Sequence, residues 1–244
     1  LWKKIGNDNQ KFVIIMTHIH KMTNSQNMGT AERKEREKEQ RREAIIEAAE
    51  AVMEESGLDQ FTMDEVAERA EVSKGALYLH FKNKTALILS VCLKGSSLLN
   101  SKMSNILTQD CTGLEMIRLI GETYLNFVSE HRVYFNAFIH YENIQDKEFL
   151  DNSLYAGQCE ESTRQAMTYV TRALQIGMQD GSINSSYNPK ELAVMIWASS
   201  RGIVQLAHFQ GVGHHFKVIK ELEINIDSVF QNFIKLLGAG MAAR

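Results

Sequence analysis

Proline is nearly missing from this chain: Pro189 is the one residue of its kind among 244. With so few ring-locked φ angles and absent N–H donors, helices can run long without a break. Cysteine is scarce as well. Cys92, Cys111 and Cys159 are odd in number and far apart, which offers neither a disulfide framework nor a CxxC metal pair and fits a reducing compartment. No apolar run approaches the roughly 18 residues that a membrane span requires. The run Phe12 to Met16 is too short for a signal peptide and lacks a small-residue cleavage pattern. The expected location is therefore the cytoplasm, with no membrane partner. Catalytic signatures are missing too: there is no HExxH, no GxGxxG, no phosphate loop and no nucleophile elbow. His131, His140, His208, His214 and His215 are scattered, and the adjacent last pair would point in different directions on a helix. An enzyme is not expected, nor a metal or another cofactor.

What is there is an ordinary globular composition, 44% apolar and 23% charged, enough for one or two domains with a substantial core. The net charge of −3 hides a strong segregation. Residues 31–42 carry six basic side chains (Arg33, Lys34, Arg36, Lys38, Arg41, Arg42) against four acidic ones. Residues 43–71 carry ten acidic side chains and only Arg69 as a base. Residues 72–94 then carry Lys74, Lys82, Lys84 and Lys94 with no acid at all. A basic surface is what a phosphate-binding face requires, whatever the charge of the neighbouring faces. Solvated helix faces are the plainer reading of the same charges.

Residues 1–30 resist a compact reading and are set apart as an N-terminal extension, with translated upstream sequence and a flexible, disordered arm both open readings. From Ala31 to Glu55 the chain is rich in Glu, Lys, Arg and Ala, and free of Pro and Gly, which predicts a helix. Two rows, Ala44, Ala48, Val52 and Ile45, Ala49, Met53, form its core-facing stripe. Gly57 ends it. Thr62-Met-Asp-Glu65 is a capping box, in which the threonine hydroxyl accepts from a first-turn amide and Glu65 reaches back. The short helix it opens buries Val66, Ala67 and Ala70. After a tight turn at Glu71-Val72, Ser73 caps a second short helix through Tyr78 or Leu79. Two short helices, a tight turn and a basic second helix make a helix-turn-helix. Further helices are expected at about 85–101, 112–130, 132–143, 151–179, 189–209 and 215–237, with Gly95 inside the first of these, Gly181 as a stop and Asn188-Pro189 as a start. No sustained strand alternation or repeat is present. The fold class is all-α: a three-helix helix-turn-helix domain at 31–84, then a larger helical domain at 85–244.

The segments FTMDEVAERA (61–70) and VSKGALYLHF (72–81) resemble the tetracycline-repressor (TetR) family of transcriptional regulators. The likeness covers about residues 41–90, including Gly57 ahead of the capped helix, the Tyr78-x-x-Phe81 ending and Lys84 followed by Leu87. Beyond it, the later chain is similar to the family only in helix number, length and the GMQDGSI helix ending at 177–183. The resemblance implies a homodimer that sets one recognition helix per subunit into successive major grooves of a palindromic double-stranded operator. It also implies repression that is relieved when a small molecule fills the second domain.

Candidate DNA-binding residues follow. Thr62 and Ser73 lie at helix starts, where a hydroxyl and free N–H groups serve a phosphate or simply a cap. Lys74 is suited to a guanine edge or a nearby phosphate. Gly75 and Ala76 permit close backbone approach. By resemblance, Tyr78 reaches the DNA backbone through its hydroxyl, and His80 and Lys84 meet phosphates. Arg33 to Arg42 are candidates for an arm reaching the minor groove, although interspersed glutamates oppose it. Leu77 and Phe81 are expected in the core.

In the second domain, aromatic and soft side chains suggest a ligand pocket: Met116, Tyr124, Phe127, Tyr134, Phe138, Tyr141, Tyr155, Cys159, Trp197 and His208. Each alone is as readily a core residue. Apolar stripes on the last two helices, including Ile196, Ile203, Leu222, Ile226, Val229 and Phe233, are expected by resemblance to build a dimer's four-helix bundle. Two alternatives remain open: an activator or ligand-independent DNA-binding dimer, and a helical small-molecule or protein-interaction module with a vestigial DNA-binding segment.

Overall fold

The computed structural model of the chain describes residues 29–212, 221 and 225–243. Its helices in chain order are α1 (Thr30–Ser56), α2 (Met63–Arg69), α3 (Lys74–His80), α4 (Lys84–Ile106), α5 (Gly113–Glu130), α6 (Arg132–Glu142), α7 (Lys147–Asn152), α8 (Leu154–Asp180), α9 (Pro189–Val212) and α10 (Ile226–Met241). Among the described residues the only β-contact is an isolated bridge between Ile183 and Ala242. The architecture is all-α, with a helix-turn-helix bundle (α1–α3) ahead of a larger helical bundle.

The first half of α1 is held by pairs along its own surface, Arg33 to Glu37 at 3.1 Å and Arg42 to Glu39 at 2.8 Å, each contributing a few tenths of a kcal/mol. Its second half is held by burial. Ile45, Ile46, Ala48, Ala49, Val52 and Met53 all face the core. Ala44, expected in that stripe, is exposed instead, because the core begins one residue later, at Ile45.

Local chemistry sets the helix starts. Thr62 Oγ1 accepts from the Glu65 N–H at 3.2 Å while Glu65 Oε2 accepts from the Thr62 N–H at 2.7 Å, completing the capping box. Ser73 caps α3, Asn83 caps α4 and Thr112 caps α5 in the same manner. The helix expected over 151–179 is two helices. Ser153 ends α7 and caps α8, its hydroxyl accepting from the Ala156 N–H at 3.3 Å; a side chain that competes for backbone amides favours a new start over continuation. The helix expected at 85–101 continues to Ile106, that at 189–209 to Val212, and the last described helix ends at Met241 rather than at 237. Residues 213–220 lie outside the described residues.

α4 is the spine of the molecule. It packs along α8 and α6 and also touches α1 and α5. One apolar cluster runs without a gap from Ile45 of α1 through Leu87, Val91 and Leu99 of α4 to Leu174 of α8 and Met241. A smaller one gathers Leu125, Phe135, Val204 and Phe230. Gly95 explains how α4 and α6 come so close: a Cβ there would sit 2.6 Å from both Cβ and Cγ of Tyr134. The mid-helix glycine, a local cost of about 1 kcal/mol, is what the packing requires.

Candidate DNA-contacting surface and ligand cavity

α2 and α3 are joined by the four residues Ala70 to Ser73. The Val72 N–H donates to the Ala67 carbonyl at 3.0 Å, and Glu71 takes φ +53°, the left-handed region that a side chain resists. Leu77 and Phe81 are fully buried beneath α3, so the opposite face is thrown outward. Leu79 is 87% exposed and Tyr78 41%; Ser73, Lys74 and Gly75 are exposed and Ala76 is half-buried. This face has the small residues and hydroxyls that allow close approach to a duplex.

Its charges are not idle in the isolated chain. The Lys74 ammonium lies 2.7 Å from Asp64 Oδ1 and 2.9 Å from Oδ2, and that hydrogen bond and charge hold Lys74 above the usual lysine range. His80 closes α3 beside the basic half of α1: burial first, then Arg41, Lys38 and Arg42, push its imidazole below the ordinary histidine range. Lys84, expected at phosphate, donates to the carbonyls of Asp59 at 2.9 Å and Phe61 at 2.8 Å, and its Nζ rests 4.2 Å above the Phe61 ring. It ties the start of α4 to the loop before α2.

The helix-turn-helix meets the larger bundle at a contact that sequence reading missed. Tyr155 of α8 stacks on Phe81 with centroids 5.9 Å apart, and Arg42 lies over the Tyr155 ring and donates from Nε to its hydroxyl at 3.4 Å.

Inside the larger bundle, α4, α5, α6, α8 and α9 enclose a cavity of about 140 Å³. Of the expected lining residues, Tyr124, Phe138, Tyr141, Cys159 and Trp197 are on its wall. Four lie elsewhere. Met116 is packed in the core. Phe127 is sealed between Tyr134 and Phe138, at 6.0 and 6.1 Å. Tyr134 turns towards α1, where its hydroxyl donates to Glu50 at 3.2 Å; burial, then Glu50, push that phenol up to about 12. Tyr155 is occupied at the Phe81 contact. The side chain of His208 lies outside the described residues.

The wall also holds polar groups that the sequence did not flag: Ser96, Asn100, Ser162, Thr163 and, above all, Glu142 ion-paired with Arg201. Burial pushes the Glu142 carboxyl up, and Arg201 opposes that rise. Burial likewise raises the phenols of Tyr124 and Tyr141, the latter to about 12. Cys92 and Cys159 face each other here, and their mutual hydrogen bond, then burial, raises the Cys92 thiol far from thiolate. No group of His, Cys, Asp and Glu among the described residues is arranged to hold a metal ion, and no described helix is long and apolar enough to cross a membrane.

A second hollow of about 320 Å³ lies between α5, α9 and α10 and shares Ile117, Gly121, Ile196 and Ser200 with the first. Ile196, expected at a dimer interface, is buried on this shared wall. Ile203 packs within the smaller cluster, and Val229 and Phe233 are half-buried. Leu222 and the side chain of Ile226 are outside the described residues. The outer faces of α9 and α10 show Val194, Met195 and Leu236, 53%, 59% and 74% exposed.

A capped helix-turn-helix on a larger helical bundle with an internal cavity defines a DNA-binding transcriptional regulator, and sequence comparison agrees. Residues 45–91, which hold the helix-turn-helix, match the family described as bacterial regulatory proteins, tetR family. It is 24% identical over 201 residues to the probable acrEF/envCD operon repressor of Escherichia coli, covering 79% of this chain and 86% of that one. It is 39% identical over 67 residues to the uncharacterized HTH-type transcriptional regulator YerO of Bacillus subtilis, a match covering 28% of this chain and 23% of that relative's length. Among solved structures, the transcriptional regulator FadR of Bacillus subtilis in complex with stearoyl-CoA superposes with a TM-score of 0.60 at 19% identity, over 81% of this chain and 98% of that one.

Proposed function

We propose that the protein is a homodimeric repressor that reads a palindromic operator with α3 of each protomer and lets go when a small apolar or aromatic molecule occupies the cavity. The observation that carries the reading is that two helices each touch both sites. α4 begins at Lys84, tied to the loop before α2, and farther along presents Cys92, Leu99, Asn100 and Met103 to the cavity. α8 sets Tyr155 of its first turn against Phe81 and Arg42 and, one turn on, presents Cys159 and then Thr163. A ligand that displaces either helix moves the recognition helix with it. DNA and ligand then favour different states of the dimer, and each weakens the other by the same coupling free energy.

Thr62, Ser73, Gly75, Ala76, Tyr78 and His80 serve as contacts to the DNA backbone or as points of close approach, with Lys74 at a base edge once it leaves Asp64. The protomers join through α9 and α10, where Val194, Met195 and Leu236 with Ala198 and Gly202 offer an apolar face with small residues for close helix approach. The relative named as an operon repressor supports repression, and the fold neighbour solved in complex with stearoyl-CoA supports an apolar ligand. The test is footprinting on the DNA upstream of its own gene, followed by release with candidate ligands. A protected near-palindrome that ligand clears supports the reading. Protection that no ligand alters favours the ligand-independent dimer, and ligand-enhanced transcription favours an activator.

A further inference from the structure

We infer that the cavity is a site for a monocationic aromatic or amphiphilic molecule, whose positive group takes the place of the Arg201 guanidinium on Glu142. The inference rests on the proposed function and names the ligand chemistry of that same cavity.

An ion pair on the wall of a mostly apolar cavity, its Arg201 and Glu142 side chains 27% and 24% exposed, limits what can enter. A charged ligand must replace one partner of the pair, and the two are not equally replaceable. Glu142 is short and is the last residue of α6, so its carboxylate sits at the negative end of that helix, where a cation is favoured whichever group supplies it. Arg201 is long and lies 5.7 Å over the ring of Trp197, which is 41% exposed. Its guanidinium can swing out along that ring into water and stay charged. An anionic ligand that took Arg201 would instead leave the partly exposed Glu142 carboxylate facing a second negative charge, an unfavourable like-charge arrangement.

The rest of the wall favours the same sign. Several of its polar groups already commit their protons elsewhere: Ser96 to the Cys92 carbonyl at 2.9 Å, Thr163 to the Cys159 carbonyl at 3.0 Å, and the Asn100 amide to Ser162 O at 3.0 Å and Gln165 Oε1 at 3.3 Å. Tyr124, Phe138 and Tyr141 add ring faces that attract a desolvated cation.

The test titrates the full chain calorimetrically with benzyltrimethylammonium, its neutral carbon isostere neopentylbenzene, and 3-phenylpropanoate. The cation is expected to bind at least about tenfold tighter than either of the others, the scale of a desolvated cation–ring and carboxylate contact. Glu142→Gln removes that preference, and Arg201→Met strengthens cation binding because the resident competitor is gone. Equal or tighter binding of the isostere or the carboxylate overturns the inference. So does absence of cation binding, unchanged cation affinity in Glu142→Gln, or weakened affinity in Arg201→Met. The two variants are expected to move in opposite directions, so a general loss of folding cannot imitate the result. If the cation binds as expected yet leaves DNA affinity unchanged, the ligand-released repressor fails while the cation site stands.

Discussion

Replacing Lys84 by methionine separates two roles for one residue. Methionine keeps the apolar stem and deletes the ammonium that donates to the Asp59 and Phe61 carbonyls at 2.9 and 2.8 Å and lies 4.2 Å above the Phe61 ring. Hydrogen bonds to a charged group contribute about 1.5–3 kcal/mol each. Water reaches the exposed Asp59 carbonyl and partly replaces the loss there, so about 2 kcal/mol in total is the expected cost. For a chain of this size that lowers Tm by about 4–8 °C. The assay is thermal unfolding paired with DNA affinity across a salt series. Since Lys84 is engaged within the protein, the slope of log K against log salt should change by much less than 0.9, the increment for one lost phosphate contact. Unchanged Tm with a slope reduced by about 0.9 would refute the reasoning and make Lys84 a phosphate ligand.

Gly95→Ala should lower Tm, although alanine favours a helix by about 1 kcal/mol, because its Cβ would lie 2.6 Å from Tyr134 and overpacking typically costs ~1–3 kcal/mol; a higher Tm would show that the α4–α6 contact yields easily. Asp64→Asn frees Lys74 and should tighten DNA binding severalfold while steepening its salt dependence, and weaker binding would mean that Asp64 positions Lys74 productively. His80 is held below its unfolded value, near 6.5, by burial and by Arg41, Lys38 and Arg42. The unfolded chain therefore takes up that proton first as pH falls, and the stability from neutral His80 is present above about 6.5 and lost as pH drops through the folded value. Tm measured at pH 7.5 and 5.5 should fall less in His80→Gln than in the parent, and equal falls would remove His80 from the account. Leu236→Glu places a charge on the exposed apolar face of α10 and should shift light-scattering mass from dimer to monomer, with operator affinity falling alongside; an intact dimer would place the interface elsewhere.

What was legible in the sequence was local. The Thr62–Glu65 box, the Ser73 cap and the buried Leu77 and Phe81 depend on neighbours three or four residues apart, and each appears as expected. Element ends were readable where a special residue marks them, as at Gly57 and Gly181, and misread at Ser153, where a cap sits inside a continuous helical pattern. The cavity was legible as a population of aromatics, not residue by residue. Tyr134 and Tyr155 have the composition of pocket residues, yet partners 84 and 113 residues away, Glu50 and Arg42, turn them aside. Glu142 and Arg201 carry no local signal, because each is an unremarkable charge on its own helix until the fold brings them together.

The most direct test of the central claim is footprinting of the purified protein on DNA upstream of its gene, over a salt series, with and without a ligand that calorimetry shows to bind. The account predicts protection of a near-palindrome, affinity falling steeply with salt, and loss of protection when ligand is added. DNA affinity that neither selects a two-fold site nor responds to salt would contradict it.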